Sequence, residues 1–421
     1  MKHQAKKIGV YAVTLLFWLA AAAAVGVVCG LLGGLFAMAV EWATHARGEY
    51  AILPWLMPVA GLAIAGLYRL LKLPLTIGTD EIIKTVRTQE RVPLAMAPAI
   101  FLSTVLTHLT GGSAGREGAA LQLGGSIGAG MARILPLEKA GEKAENDAVR
   151  IFQLCGMAAL FSALFGTPLA AAVFVVEIID VGRINLRALL PALIAAVVSK
   201  FTALGIGAPA EVFPLASGLA AAEALPLMQT VLLSVVCALV AILFCFVMHR
   251  SSRLFRKWIP NEYLRVLAGA AAVIVLALLL GTQDYRGGGM HVIHAALVGE
   301  HVPALAFLLK IAFTALSLGT GYKGGEIVPS FFIGATLGAT LAGLIGFPPA
   351  LGAAVGIIAL FCGVTNAPLA SIFLAVELFG AAGAEYLLFF GVASVVSYAL
   401  SGHISLYHAQ VLAEPKLGHR N

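Results

Sequence analysis

The chain reads as an all-α integral membrane protein made of two related halves, and three observations predict this. Of its 421 residues, 60% are hydrophobic and only 11% charged, where an ordinary soluble domain carries about 25% charged residues. Apolar runs recur from end to end, several of them too short to span a bilayer, which takes about 20 residues. Residues 156–177 (GMAALFSALFGTPLAAAVFVVE) also match residues 356–377 (GIIALFCGVTNAPLASIFLAVE) without a gap, including Pro168/Pro368 and Glu177/Glu377.

The apolar runs lie near 8–43, 51–71, 94–110, 119–135, 151–180, 187–206, 225–248, 264–281, 303–319, 329–347, 350–363, 367–380 and 384–400. The first follows Lys2, Lys6 and Lys7 and is too long for a signal-peptide core, so it reads as an uncleaved helix with a cytoplasmic N-terminus. His249-Arg250-Ser251-Ser252-Arg253-Leu254-Phe255-Arg256-Lys257 is a second basic cluster and is assigned to the same face. The net charge of +6 therefore reports topology, and no nucleic-acid partner is expected. The partner expected is the lipid of a prokaryotic plasma membrane. The 46 glycines suit close helix packing in lipid.

Cys29, Cys155, Cys237, Cys245 and Cys362 all fall inside apolar runs and form no C-x-x-C pair, so they read as packed thiols. His291 and His294 follow Gly287-Gly288-Gly289 without a third ligand and read as loop residues. No metal and no other cofactor is expected.

At a shift of 200 the matched segments share Gly156/Gly356, Phe161/Phe361, Pro168/Pro368, Leu169/Leu369 and Ala170/Ala370, and at a shift of 210 Gly115/Gly325, Gly124/Gly334 and Gly128/Gly338 pair. The charged stretch 137–147, against a shorter counterpart near 346–349, accounts for the change of shift. Two repeats follow, roughly 1–210 and 220–421, joined by a connector around Pro209 to Pro226. Transporter repeats of this kind are often inverted, with the substrate at their interface near the midplane. Nothing follows Asn421, so a single transmembrane transport domain (1–421) without a soluble regulatory domain is expected.

Two charge-bearing glycine strings carry the functional argument: Gly111-Gly112-Ser113-Ala114-Gly115-Arg116-Glu117-Gly118 and Gly319-Thr320-Gly321-Tyr322-Lys323-Gly324-Gly325-Glu326-Ile327-Val328-Pro329. Each opens onto an apolar helical run. A carboxylate at membrane depth costs roughly 2.5–3.5 kcal/mol on insertion scales and marks function by default. Free N–H groups and the dipole at a helix N-terminus favour an anion there. A chloride or fluoride ion can sit at residues 115–118 without a lysine, and the Glu117 carboxylate can occupy the same spot, so that its protonation or displacement opens the site. The alternative is an Arg116–Glu117 ion pair at a helix end. Pro329 fits a first helical turn, which aims the amides of Glu326, Ile327 and Val328 at the site. The Glu326 side chain either touches the ion path or anchors Lys323.

Gly115-Arg116-Glu117-Gly118, the Gly325-x-x-x-Pro329 string and the late Tyr407 in Ser405-Leu406-Tyr407-His408 together resemble the CLC family of anion channels and proton-coupled anion antiporters. The resemblance runs over nearly the whole chain. It implies an inverted-repeat fold with many tilted and partial helices, and a homodimer with one pore in each subunit. It further implies an external gate at Glu117 and a central anion held by the amides of Ile327 and Val328 and by the Tyr407 hydroxyl.

Three departures from the family pattern bear on substrate and coupling. Thr76-Ile77-Gly78-Thr79-Asp80-Glu81 stands where the family's first ion-binding string carries a serine, so that contact falls to backbone at Ile77 and Gly78 or to Thr79. Ile178 occupies the position of the usual internal proton-accepting glutamate, and the neighbouring Glu177, duplicated as Glu377, reads as structural. Ile327 replaces the usual phenylalanine, which resembles the fluoride-exporting branch, although that branch typically carries Thr at Val328. Anion transport, with chloride the default and fluoride the rival, is the function expected. Channel and proton antiport both stay open. An intramembrane enzyme is disfavoured, because the chain has no H-E-x-x-H, G-x-S-x-G or paired-Asp motif.

Overall fold

A computed structural model describes residues 2–88, 92–134, 142–209, 211, 213–413 and 416. Sixteen α-helices lie among them: α1 (Lys2–Glu49), α2 (Met57–Leu70), α3 (Thr79–Thr88), α4 (Met96–Thr110), α5 (Glu117–Ile134), α6 (Glu142–Phe165), α7 (Pro168–Glu177) and α8 (Leu186–Gly205) in the first half, then α9 (Ala224–Trp258), α10 (Glu262–Leu280), α11 (Met290–Leu297), α12 (Ala306–Thr320), α13 (Ile327–Ile345), α14 (Pro349–Thr365), α15 (Pro368–Glu385) and α16 (Leu387–Leu400). Strands are confined to a two-residue parallel pair among these residues, with β1 (Asp180–Val181) against β2 (Val411–Leu412). Eight helical stretches are long and apolar enough to cross a membrane, while α4, α7, α12, α14 and α16 are shorter apolar helices. The all-α expectation with partial helices therefore holds.

Glycine decides the closest packing in each half. A Cβ on Gly124 would run into the carbonyl of Gly156, and one on Gly128 into that of Phe152, so α5 and α6 touch backbone to backbone. The second half repeats the device: Gly334 faces the Gly356 carbonyl and Gly338 that of Gly352, between α13 and α14. Small residues at such crossings replace a hydrophobic driving force that lipid does not provide.

Where the halves meet, the matched Pro-Leu-Ala helices α7 and α15 cap one another. Glu377 accepts hydrogen bonds from the Leu169 and Ala170 amides at 3.0 and 2.8 Å, and Glu177 accepts from Leu369 and Ala370 at 3.0 and 2.8 Å. Each carboxylate at the tenth residue of one helix thus satisfies the free N-terminal amides of the other. Reciprocal contacts of this form require the equivalent helices to run antiparallel, as an inverted repeat does. Phenylalanines fill the same seam: Phe161–Phe174 and Phe174–Phe361 have centroids 5.3 Å apart, and Phe165–Phe331 5.7 Å.

Two expectations are corrected, the run 151–180 and the histidine loop, and two helical features are added to the reading. The run 151–180 breaks at Gly166 (φ +70°) before Pro168 and forms two helices, α6 and α7. α3 is a short amphipathic helix with Asp80 and Glu81 in its first turn, outside the apolar runs and invisible to an apolar-run criterion. His291 and His294 lie on α11, a helix that starts at Gly289 (φ +76°), and not in a loop. The basic cluster 249–257 continues α9, which ends at Trp258. Residues 137–141 of the charged stretch, and 210 and 212 of the connector, lie outside the described residues.

Candidate functional site

The two glycine strings meet. Gly115 N donates to Gly325 O at 2.7 Å, and Gly325 N donates to Gly115 O at 2.8 Å. A Cβ on Gly325 would collide with the Gly118 amide, so only glycine allows this approach. The bridge sets the first turns of α5 and α13 side by side. The intrahelical ladder of α13 begins with Ser330 N donating to Glu326 O at 3.0 Å, which leaves the amides of Ile327 and Val328 ahead of it.

Glu117 is the first residue of α5 and is 1% exposed. Its Oε2 accepts from the Arg116 amide at 2.9 Å, so the carboxylate folds back onto the start of its own helix, the place proposed for an anion. The Arg116–Glu117 ion pair exists but is long, 3.8 Å from Nε to Oε1. Arg116 is bound instead by Glu211, which accepts from Nη2.

Two cavities flank this point and share no lining residue. The first, of about 380 Å³, is lined by Gly78, Thr79, Asp80, Gln122, Gly324, Glu326 and Tyr407, with His249, Arg253, Arg256 and Arg265 also on its wall. The second, of about 390 Å³, is lined by Gly115, Arg116, Glu117, Glu211, Val328, Arg47 and Arg286. The Gly115–Gly325 bridge and Glu117 separate them.

The first cavity carries groups suited to an anion. The Tyr407 hydroxyl is buried and has no hydrogen-bond partner among the described residues. Thr79 Oγ1 donates to Gly118 O at 3.2 Å and accepts from Gln122 Nε2 at 3.2 Å. Ile77 makes no such contact: its amide donates to Pro74 O at 3.0 Å, and its carbonyl receives Lys323 Nζ at 2.9 Å. Ile77 lines this cavity beside Gly78 and Thr79. Lys323 also donates to Leu75 O at 2.6 Å and stands over the Tyr68 ring at 4.5 Å. It forms no ion pair with Glu326 among the described residues, and Glu326, partly buried, opens onto the first cavity.

The late tyrosine is placed by the final segment of the chain. Leu406 N donates to Val364 O at 2.8 Å, Ala409 N to Asp80 Oδ1 at 3.1 Å, and Ala413 N to Val181 O at 2.9 Å. Tyr407 is 3% exposed and sits inside the protein. Ile178 is buried at the end of α7 and lines neither cavity.

The sequence does not single out Gln122, Glu211, Arg47 or Arg286. Gln122 carries a signal, as the polar side chain in an Ala-Leu-Gly helix. Glu211 and Arg286 carry none, because they come from connecting segments far away in sequence. Among the described residues no group of three His, Cys, Asp or Glu side chains is arranged to hold a metal ion.

Residues 70–402 match the family model described as voltage gated chloride channel. A chloride/fluoride channel protein from Pseudomonas syringae pv. tomato is 34% identical over 417 residues, covering 95% of this chain and 87% of its own length. An H(+)/Cl(−) exchange transporter from Citrobacter koseri is 27% identical, over 85% of this chain and 80% of its own. Among solved structures, a CLC-type fluoride/proton antiporter superposes with a TM-score of 0.88 at 29% identity, covering 95% of this chain and 98% of that one. A slow cyanobacterial Cl−/H+ antiporter superposes at 0.74 with 22% identity, covering 92% and 95%, and shows the fold.

Proposed function

The chain belongs to the voltage gated chloride channel (CLC) family, whose work is anion transport, and from that premise we propose that fluoride is its better-supported substrate, with chloride second. The observation that carries the path is the Glu117 carboxylate on the Arg116 amide, set between two cavities. An anion passing from one to the other must take that place. Arg116, Gly115 and Gly118 form the frame of the gate; Gly325, Glu326, Ile327, Val328, Thr79, Gly78 and Tyr407 form the other side. Ile77 lines the first cavity as well, with its amide bonded to Pro74 O and its carbonyl to Lys323 Nζ.

Fluoride is favoured by what surrounds the site. A hydroxyl, a carboxamide and helix amides are hydrogen-bond donors for a small, strongly hydrated ion, and the family's serine is missing. The chloride/fluoride relative and the fluoride/proton antiporter are two similar proteins that each cover nearly this whole chain.

Proton coupling is supported by a second observation. Ile178 removes the usual inner acceptor, yet Glu326 opens onto the first cavity while Glu117 lines the second. Two carboxylates on either side of the Gly115–Gly325 bridge give a proton two stations, and the reading is of antiport.

The same reading gives one transport domain of two repeats, acting as a homodimer in a bacterial plasma membrane. Both cavities come from one chain, so a pore in each subunit needs nothing from its partner. α1 reaches the Glu117 cavity with its end, Val40 to Arg47, so its start lies at the other face, shared with the basic end of α9. That face is the cytoplasmic one by the positive-inside rule.

Purified protein in liposomes loaded with fluoride or chloride tests this. Fluoride efflux is expected to outpace chloride and to drive protons inward. If neither anion moves, transport by this path is wrong; if both move without a pH change, it is a channel.

A further inference from the structure

Outside the gate, the second cavity holds two guanidinium groups that the path just described does not use. Arg286 is 3% exposed, and its Nε and Nη1 are buried without a hydrogen-bond partner among the described residues. Arg47 comes from the end of α1 and donates through Nη1 to His108 O at 2.6 Å. The two stems pack over Gly111: a Cβ there would lie 3.1 Å from Arg286 Cδ and 3.2 Å from Arg47 Cδ. One at Gly287 would lie 2.8 Å from Arg47 Nη1. Like charges are thus held together, and neither guanidinium has a carboxylate ion-pair partner among the described residues.

The arrangement is built, not incidental. Lys310, fully buried, donates to Tyr285 O at 3.2 Å and Gly287 O at 2.7 Å, the carbonyls on either side of Arg286. Gly287 N is held by Gly112 O at 3.2 Å and Arg286 N by Gln283 O at 3.0 Å. The backbone is pinned around Arg286, and the pinning group is itself a cation. Of the acids nearby, Asp284 Oδ1 lies 2.9 Å from His291 Nε2, Glu211 binds Arg116 and Glu117 accepts from the Arg116 amide, while Glu41, also on the cavity wall, makes no ion pair with either guanidinium among the described residues. A buried cation without a partner is costly, and an anion between two guanidinium forks satisfies both.

We propose that Arg47 and Arg286 form an outer anion site, in which the transported halide waits before displacing Glu117. The proposal rests on the transport reading above. The site concentrates the anion at the gate on one face only, since the first cavity contains neither residue.

Uptake into right-side-out and inverted membrane vesicles tests it, using whichever of fluoride or chloride the wild-type chain moves. Arg286→Gln is expected to raise the half-saturating concentration about three- to tenfold in right-side-out vesicles, much more than the maximal rate falls, with little change in inverted ones. Inert salt should narrow the gap between variant and wild type by screening. An equal rise in both kinds of vesicle would mean a structural role and overturn the site, as would no rise at all. Should Arg286→Gln fail to reach the membrane, Arg286→Lys serves: it keeps the charge, loses the fork, and should show a rise of about two- to threefold on the same face; a wild-type value overturns the site. A wild-type chain that moves neither ion defeats the transport reading instead, and leaves that failure distinguishable.

Discussion

Glu117 has two ways to satisfy its carboxylate: the Arg116 amide that it binds now, or a proton. In the proposed gate, an anion arriving at the same amides competes with the first and is helped by the second. Glu117→Gln mimics the protonated state and cannot return to the charged one. Proton movement is expected to vanish while anion flux survives within about tenfold, a difference of ~1.4 kcal/mol in barrier; retained coupling would contradict the gate. Glu326→Gln makes the same separation for the inner station. It should lower coupling and leave the outer gate working, so anion flux continues; unchanged coupling would place the inner proton route elsewhere. Both are read in liposomes with an anion electrode and a pH electrode together. The charged glycine strings made Glu117 legible in sequence, because a carboxylate beside glycine in an apolar chain is too costly to persist without a use. Glu211 was not legible for the opposite reason: its role comes from what folds against it.

Glu177 and Glu377 show how far a repeated element can be read. The matched Pro and Glu at one spacing predict a shared structural task, and the structure supplies it as two reciprocal helix caps. A hydrogen bond to a charged group contributes about 1.5–3 kcal/mol, and each carboxylate makes two. Glu377→Ala and Glu177→Ala are each expected to destabilise the fold by roughly 2–4 kcal/mol, seen as a thermal midpoint several degrees lower in detergent. Near-equal effects follow from the near-equal distances. If Glu177→Ala instead left the midpoint unmoved and abolished proton coupling, Glu177 would be a proton acceptor. The helix-packing glycines were legible in the same way, as Gly124/Gly334 and Gly128/Gly338. The elements that escaped were the polar ones. α3 has no apolar run to announce it, although it delivers Thr79 to the site. The break between α6 and α7 hides inside continuous hydrophobicity, and only Gly166 and Pro168 mark it.

Over the whole molecule, the path has a direction only if the two cavities open to different sides of a membrane. Charge assigns the sides. The wall of the first cavity includes Arg253 and Arg256 from the end of α9, and the N-terminal lysines begin the helix whose other end lines the second. Positive residues are retained on the cytoplasmic side, so in the proposed topology Glu117 guards the outer face. The five native cysteines are all buried, which gives a low background for thiol labelling. Glu49 and Arg256 are both exposed and lie at opposite ends of this scheme. A membrane-impermeant maleimide should therefore label Glu49→Cys in intact cells and Arg256→Cys in inverted vesicles only. The reverse pattern would turn the molecule over: Glu117 would then face the cytoplasm, and the Arg47–Arg286 pair would gather anions for export rather than entry.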